Sequence, residues 1–178
     1  MSSPTRQTLH AITVLGHDRP GIIAETTECL ADLGLNLEDS TMTLLRGHFA
    51  MMLLCAGDAA DTTIEAALAP LSADGTLSVT VREVPADDAL AASGEPWVLT
   101  VHGGDRAGIV SAVVAVVAAV GGNITDLSTR LAGDLYLLIA EIDLPEAADA
   151  VALGTAISAV AADLGVGASL RPAEADDL

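Results

Sequence analysis

The sequence contains no lysine. Its seven basic residues are all arginine, set against 25 Asp and Glu, and the formal net charge is −18. Binding nucleic acid requires a basic patch that neutralises phosphates and releases their counterions, so this balance argues against nucleic acid as a direct partner. The same charge argues against an anionic membrane surface. It suits a soluble cytoplasmic protein, or one adapted to high salt. Cysteine is scarce as well. Cys29 and Cys55 lie far apart with no Cys-x-x-Cys, and both read as small packed hydrophobes in a reducing compartment rather than as a disulfide or metal pair. No long apolar run is present: the longest, residues 107–120, is too short to span a bilayer. The first residues, Met1 to Arg6, begin no secretory signal, because the apolar stretch that follows is interrupted by His17, Asp18 and Arg19.

What the sequence does have is an internal repeat. Gly16-His17-Asp18-Arg19-Pro20-Gly21-Ile22 is followed by Asn36-Leu37-Glu38-Asp39. Gly103-Gly104-Asp105-Arg106-Ala107-Gly108-Ile109 is followed by Asn123-Ile124-Thr125-Asp126 at the same offset, 123 − 36 = 87 residues. The register holds without a gap from Thr13/Thr100 to Leu54/Glu141. A repeat of this length makes the 178-residue chain two copies of one small unit.

Each copy reads as βαββαβ. Leu9 to Leu15 alternates as a strand, with His10, Ile12 and Val14 on one face. A helix follows, with Pro20 in its first position and Ile22, Ile23, Thr26, Leu30 and Leu33 as its buried stripe. Glu25, Glu28 and Asp32 form a solvated face rather than a metal site, because no His or further acid joins them. Gly34 ends the helix as a left-handed cap. Strands over Asn36–Leu44 and His48–Ala56 flank a turn at Arg46-Gly47. A short helix carrying Ile64, Ala67, Leu68 and Leu71 leads to a strand over Leu77–Val84. The second copy has a strand over Trp97–His102, a helix over Ala107–Val120 and strands over Asn123–Leu131 and Leu135–Asp143. A longer helix marked by Val151, Ile157, Val160 and Leu164 precedes a strand over Val166–Arg171. The expected domains are 8–84 and 96–171, with a polar linker at 85–95, a loose stretch at 1–7 and a loose acidic tail at 172–178.

This order is the ferredoxin-like α+β arrangement, an antiparallel sheet with both helices on one face. The third strands are apolar on both faces, so the second sheet face is expected to be covered, by the other repeat or by a second chain. The helix over Ile109–Val120 is uncharged, and it too is expected to pack beyond its own sheet.

The turn has chemistry suited to a zwitterion. A helix N-terminus offers the N–H groups of Gly21 and Ile22 to a carboxylate. Asp18 accepts hydrogen bonds from an ammonium, Asn36 completes either end, and Gly21 lets backbone approach a ligand. Arg19 and Arg106 stand at the mouth, to hold an anion or pair with a nearby acid. The structural alternatives are that Asp18 caps its helix, that Asn36 and Asn123 fix the turn into their strands, and that Gly21 and Gly108 allow close packing. Catalysis is the weakest reading. His10, His17, His48 and His102 are scattered, and no nucleophile is placed by the spacing. No phosphate loop is present.

On Gly16-His17-Asp18-Arg19-Pro20-Gly21-Ile22 and Asn36-Leu37-Glu38-Asp39-Ser40, the chain resembles the ACT domain family of small-molecule sensors, over both repeats. As a chain of just two such domains it looks most like the glycine cleavage system transcriptional repressor family. The second copy departs from the pattern, with Ala107 for the proline and Gly104 for the histidine. The resemblance implies a non-enzymatic regulator, without a cofactor or metal, that binds an amino acid such as glycine or serine where ACT domains meet and signals to a partner protein. It further implies a homodimer. It places ligand contacts at Asp18, Arg19, Gly21, Ile22, Asn36 and Leu37, and at Asp105, Gly108, Ile109, Asn123 and Ile124. The competing expectations are a detached regulatory subunit of a biosynthetic enzyme, or a structural interaction module with relic sites.

Overall fold

The computed structural model describes residues 8–85 and 94–173. The expectations for residues 1–7, for most of the linker and for the end of the acidic tail lie outside the described residues. The chain divides into two compact units between Asp88 and Ala89. In unit 1 the elements are β1 (Thr8–His17), α1 (Ile22–Asp32), β2 (Asn36–Leu45), β3 (His48–Gly57), α2 (Asp61–Leu68) with a 3-10 turn (Ala69–Ser72), and β4 (Leu77–Val84). In unit 2 they are β5 (Gly94–Gly104), α3 (Ile109–Ala119), β6 (Asn123–Ala132), β7 (Leu135–Pro145), α4 (Ala150–Asp163) and β8 (Val166–Pro172). The strand orders are β2-β3-β1-β4 and β6-β7-β5-β8, antiparallel throughout. The ferredoxin-like arrangement expected from the sequence is present twice.

The alternation of β1 works as read. His10, Ile12 and Val14 are buried beneath the helices with Phe49, Met51 and Leu53 of β3. Ile22 and Leu30 of α1 and Ile64 and Leu68 of α2 close the core. In unit 2, Leu99, Val101, Ile109, Val113, Leu138 and Ile157 hold the corresponding places. The repeat extends to the backbone. A bulge interrupts β2 between Leu37 and Asp39, and another interrupts β6 between Ile124 and Asp126.

Some expectations are corrected. Helix α1 begins at Ile22, not at Pro20, because Gly21 is its N-cap; Pro20 belongs to the turn before it. Ile23 is not in the buried stripe but 45% exposed, since α1 buries only the side that carries Ile22, Thr26 and Leu30. Helix α3 likewise begins at Ile109, with Gly108 as its N-cap, rather than at Ala107. Val151 projects into solvent at 81% exposure, and α4 buries Leu153, Ile157 and Ala161 instead. Strand β5 starts at Gly94 rather than Trp97, because β7 runs on to Pro145 and supplies partners for Gly94, Glu95 and Pro96. The uncharged α3 faces solvent through Ser111, Ala115, Ala118 and Ala119. Small side chains there expose little apolar area, so within unit 2 the helix keeps only one buried stripe, Ile109, Val113 and Val117.

Candidate functional site

The repeated turn is held by backbone. The His17 N–H donates to the Thr76 carbonyl at 3.1 Å and the Asp18 N–H to the Gly47 carbonyl at 3.0 Å, so the end of β1 is tied on one side to the approach to β4 and on the other to the β2–β3 hairpin. Gly16 is required by this closeness: a Cβ there would sit 2.1 Å from the Thr76 carbonyl oxygen. Gly21 has φ 93° and Gly108 φ 94°, a left-handed conformation that costs other residues about 1–2 kcal/mol. Each glycine carbonyl then accepts the first helical bond, from Glu25 N–H at 2.9 Å and from Ala112 N–H at 3.0 Å. The glycines thus serve backbone handedness and not close helix–sheet packing. A Cβ on Gly108 would meet nothing nearer than Ser111 Oγ at 4.0 Å.

Among the candidate residues, Ile22 and Ile109 send their side chains into the two cores, each 1% exposed. Only their backbone N–H groups can face a ligand. Asp18 and Asp105 are exposed, neither caps its helix, and among the described residues neither forms an ion pair. The capping alternative for Asp18 therefore fails. Arg19 is already engaged. Its guanidinium donates to both carboxylate oxygens of Glu25, at 2.8 and 2.7 Å. The bidentate contact raises the Arg19 pKa and lowers that of Glu25. In the second copy Ala112 occupies the position of Glu25. Arg106 has no carboxylate partner among the described residues and lies over Gly165.

The asparagines are elsewhere. Asn36 is opposite Ala56 on β3, whereas His17, at the turn, is opposite His48. Ala56 and His48 are eight residues apart on one strand, which at ~3.3 Å per residue is about 26 Å. In unit 2, Asn123 is opposite Asp143 and Gly104 is opposite Leu135, the same eight-residue separation. Asn36 with Leu37, and Asn123 with Ile124, therefore stand at one end of their units, and the Asp-Arg-x-Gly turns at the other. A single unit does not bring the expected contacts together.

Two pairs were not read from the sequence. His17 and His48 meet across β1 and β3 with ring centroids 5.3 Å apart, beside Asp18. His10, buried on the inner face of β1, has its Nδ1 2.7 Å from Asp61 Oδ1. The other oxygen of Asp61 accepts the Glu83 N–H at 3.0 Å. The strand alternation placed His10 inside, but its partner lies 51 residues away and only the register reveals it. Cys55 is buried and Cys29 half-buried, both free, and burial raises the Cys55 thiol pKa. Among the described residues no group of three or more His, Cys, Asp or Glu is placed to hold a metal. Among the described residues no helix is long and apolar enough to cross a membrane.

Comparison with known proteins places this geometry. The family model described as the ACT domain matches residues 9–82 and again residues 95–170. The glycine cleavage system transcriptional repressor of Escherichia coli is 29% identical over 168 residues, spanning 90% of this chain and 87% of that protein. A UPF0237 protein of Methanopyrus kandleri is 43% identical over 53 residues, 30% of this chain and 59% of that relative, so less than two thirds of its length is matched. A crystal structure of a protein described only as unknown, from Galdieria sulphuraria, superposes with a TM-score of 0.78 at 30% identity, covering 94% of this chain and 99% of that one.

Proposed function

The chain belongs to the ACT domain family, and on that premise we propose that it is a non-enzymatic regulator that binds a free amino acid, such as glycine or serine, and passes the signal to a partner protein. The observation that carries this reading is the recurrence of one unsatisfied arrangement. In both copies a left-handed glycine opens a helix N-terminus beside an exposed aspartate that caps nothing. An amino acid is complementary to it: the carboxylate accepts from the helix N–H groups and the ammonium donates to the aspartate.

A ligand a few ångströms long cannot touch Asp18 and Asn36 of the same unit. The pocket we propose combines the turn of one ACT domain with the strand start of an ACT domain of a second chain. The two turns are unequal in it. Arg19 is neutralised by Glu25, whereas Arg106 is left to attract the ligand carboxylate. The Escherichia coli relative is named a transcriptional repressor. A chain of net charge −18 would act on transcription through another protein rather than by touching DNA itself.

The test is a thermal-shift screen of the full chain against the twenty amino acids. A ligand at a hundred times its Kd adds about 2.7 kcal/mol, a shift of several degrees. The expected hit weakens on Asn36→Ala or Asn123→Ala and also on Asp18→Ala or Asp105→Ala. A hit indifferent to all four substitutions, or no hit at all, refutes the reading.

A further inference from the structure

We propose that His17 and His48 together bind a divalent transition-metal ion, Zn²⁺ above all, at the turn end of the first sheet. The two residues are direct partners in the register of β1 and β3. Both are exposed, and their ring centroids are 5.3 Å apart. Two imidazoles bound through nitrogen to one tetrahedral Zn²⁺, with Zn–N about 2.0–2.1 Å, hold their ring centres about 5 Å apart. The observed spacing is that of a chelating pair, so closing on an ion asks for ring rotation rather than strand movement. The backbone beneath is fixed on both sides. The His17 N–H donates to the Thr76 carbonyl at 3.1 Å, and the carbonyl of Gly47, next to His48, accepts the Asp18 N–H at 3.0 Å. A ligand pair held this way has little freedom left to lose on binding.

The fold does not call for the pair. At the same register of the second sheet, Gly104 is opposite Leu135, and the topology is unchanged. Among the described residues neither ring forms an ion pair. What the two side chains share is a nitrogen lone pair on each neutral ring. Imidazole favours Zn²⁺, Ni²⁺ and Cu²⁺ over Mg²⁺ and Ca²⁺, which prefer oxygen ligands. The net charge of −18 and the exposed Asp18 beside the pair draw cations to the turn. No third side chain among the described residues completes the set. The ion therefore keeps open positions for water or for a donor from outside the chain, unlike the closed sphere of a structural zinc. The site is confined to the first copy, and it stands whether or not the turn also takes an amino acid.

The test is calorimetric titration of the full chain with Zn²⁺ alone, and separately with Mg²⁺, in a buffer that does not chelate. The expected result is one saturable Zn²⁺ per chain and no matching event with Mg²⁺. His17→Gln and His48→Gln each weaken Zn²⁺ binding by about tenfold or more, the double variant removes it, and His102→Gln, on the second sheet, leaves it unchanged. The imidazole NMR signals of His17 and His48 shift together as the ion is added. Where a glutamine variant loses its circular dichroism, His48→Leu, which copies the residue of the second sheet, is read in its place. Zn²⁺ uptake by the double variant equal to that of the parent chain overturns the proposal, because it assigns the ion to scattered carboxylates or thiols. So does loss at one histidine with indifference at the other, and so does a chain that takes up no Zn²⁺.

Discussion

Replacing Asp61 by alanine should be among the most damaging single changes at a partly exposed site in unit 1. The side chain is 36% exposed, yet it receives the Nδ1 of His10, whose own side chain is 2% exposed. Its second oxygen accepts the Glu83 N–H, so one carboxylate at the start of α2 is bonded to both β1 and β4. The Nε2 atom of His10 has no partner among the described residues. Asp61→Ala would leave both ring nitrogens stranded in the core. A buried polar group left unsatisfied costs about 1–3 kcal/mol, and removing a carboxylate from a helix N-terminus adds about 0.3–1 kcal/mol. Together these predict a loss of about 1–4 kcal/mol. The assay is urea unfolding followed by far-UV circular dichroism, because the single tryptophan, Trp97, lies in unit 2 and does not report on unit 1. The decisive arm is the double variant. His10→Leu with Asp61→Ala removes both partners at once and should recover much of the loss. A single-variant cost below about 0.5 kcal/mol, within the range of ordinary surface changes, would refute the reasoning, as would a double variant no more stable than Asp61→Ala alone.

Gly21→Ala and Gly108→Ala should each cost about 1–2 kcal/mol in backbone strain, measured in the same titration. Only the first should also disturb Arg19, since its Cβ meets Glu25 Oε1 at 3.1 Å. Arg46 sits at φ 50° in the β2–β3 turn, so Arg46→Asn should stabilise the chain by up to about 1 kcal/mol; a loss would mean the arginine side chain contributes something its backbone cost conceals. Glu25 has its folded pKa lowered by Arg19. Its contribution is therefore present above the ordinary carboxylate range and is lost as pH falls through the lowered value. Glu25→Gln should flatten the acid limb of the stability profile and lower stability at neutral pH by the same amount, a small one because the pair is solvated. An unchanged acid limb would dismiss the pair.

The repeat made the fold legible, because an offset held without a gap leaves one topology to find twice. Burial was legible where periodicity is strict, as at His10, Ile12 and Val14. It failed at Ile23 and Val151, where apolar spacing admits more than one helix face and only packing chooses. Pro20 suited a helix start, but a proline fits the turn just before one equally well, and the left-handed Gly21 took the boundary. Asn36 is more instructive. It follows Gly21 by fifteen residues, and the expectation set both around one ligand where two ACT domains meet. In βαβ chain tracing a helix returns the chain to the end of the sheet from which its first strand set out. The start of β2 must then lie at the same end of the sheet as the start of β1, with β3 between them, about 26 Å from the turn. Topology already contained the separation, and reading motifs one at a time passed over it.

What the two copies share and where they differ bears on the ligand. The glycine conformations and the bulges recur, as packing would require of any repeated fold. The neighbours of the turn diverge: Glu25 becomes Ala112, His17 becomes Gly104 and His48 becomes Leu135. Asp18 and Asp105 belong to neither class. They are exposed, cap nothing and still recur as the same residue. If they serve a ligand, Asp18→Ala and Asp105→Ala should alter stability by no more than about 0.5 kcal/mol, as surface changes do, while removing the amino-acid-dependent shift in melting temperature. If they instead hold the turn together through contacts formed in solution, each would cost about 1 kcal/mol or more without any ligand present. That second result would make the recurrence of the aspartates a matter of folding and would withdraw the observation on which the sensor reading rests.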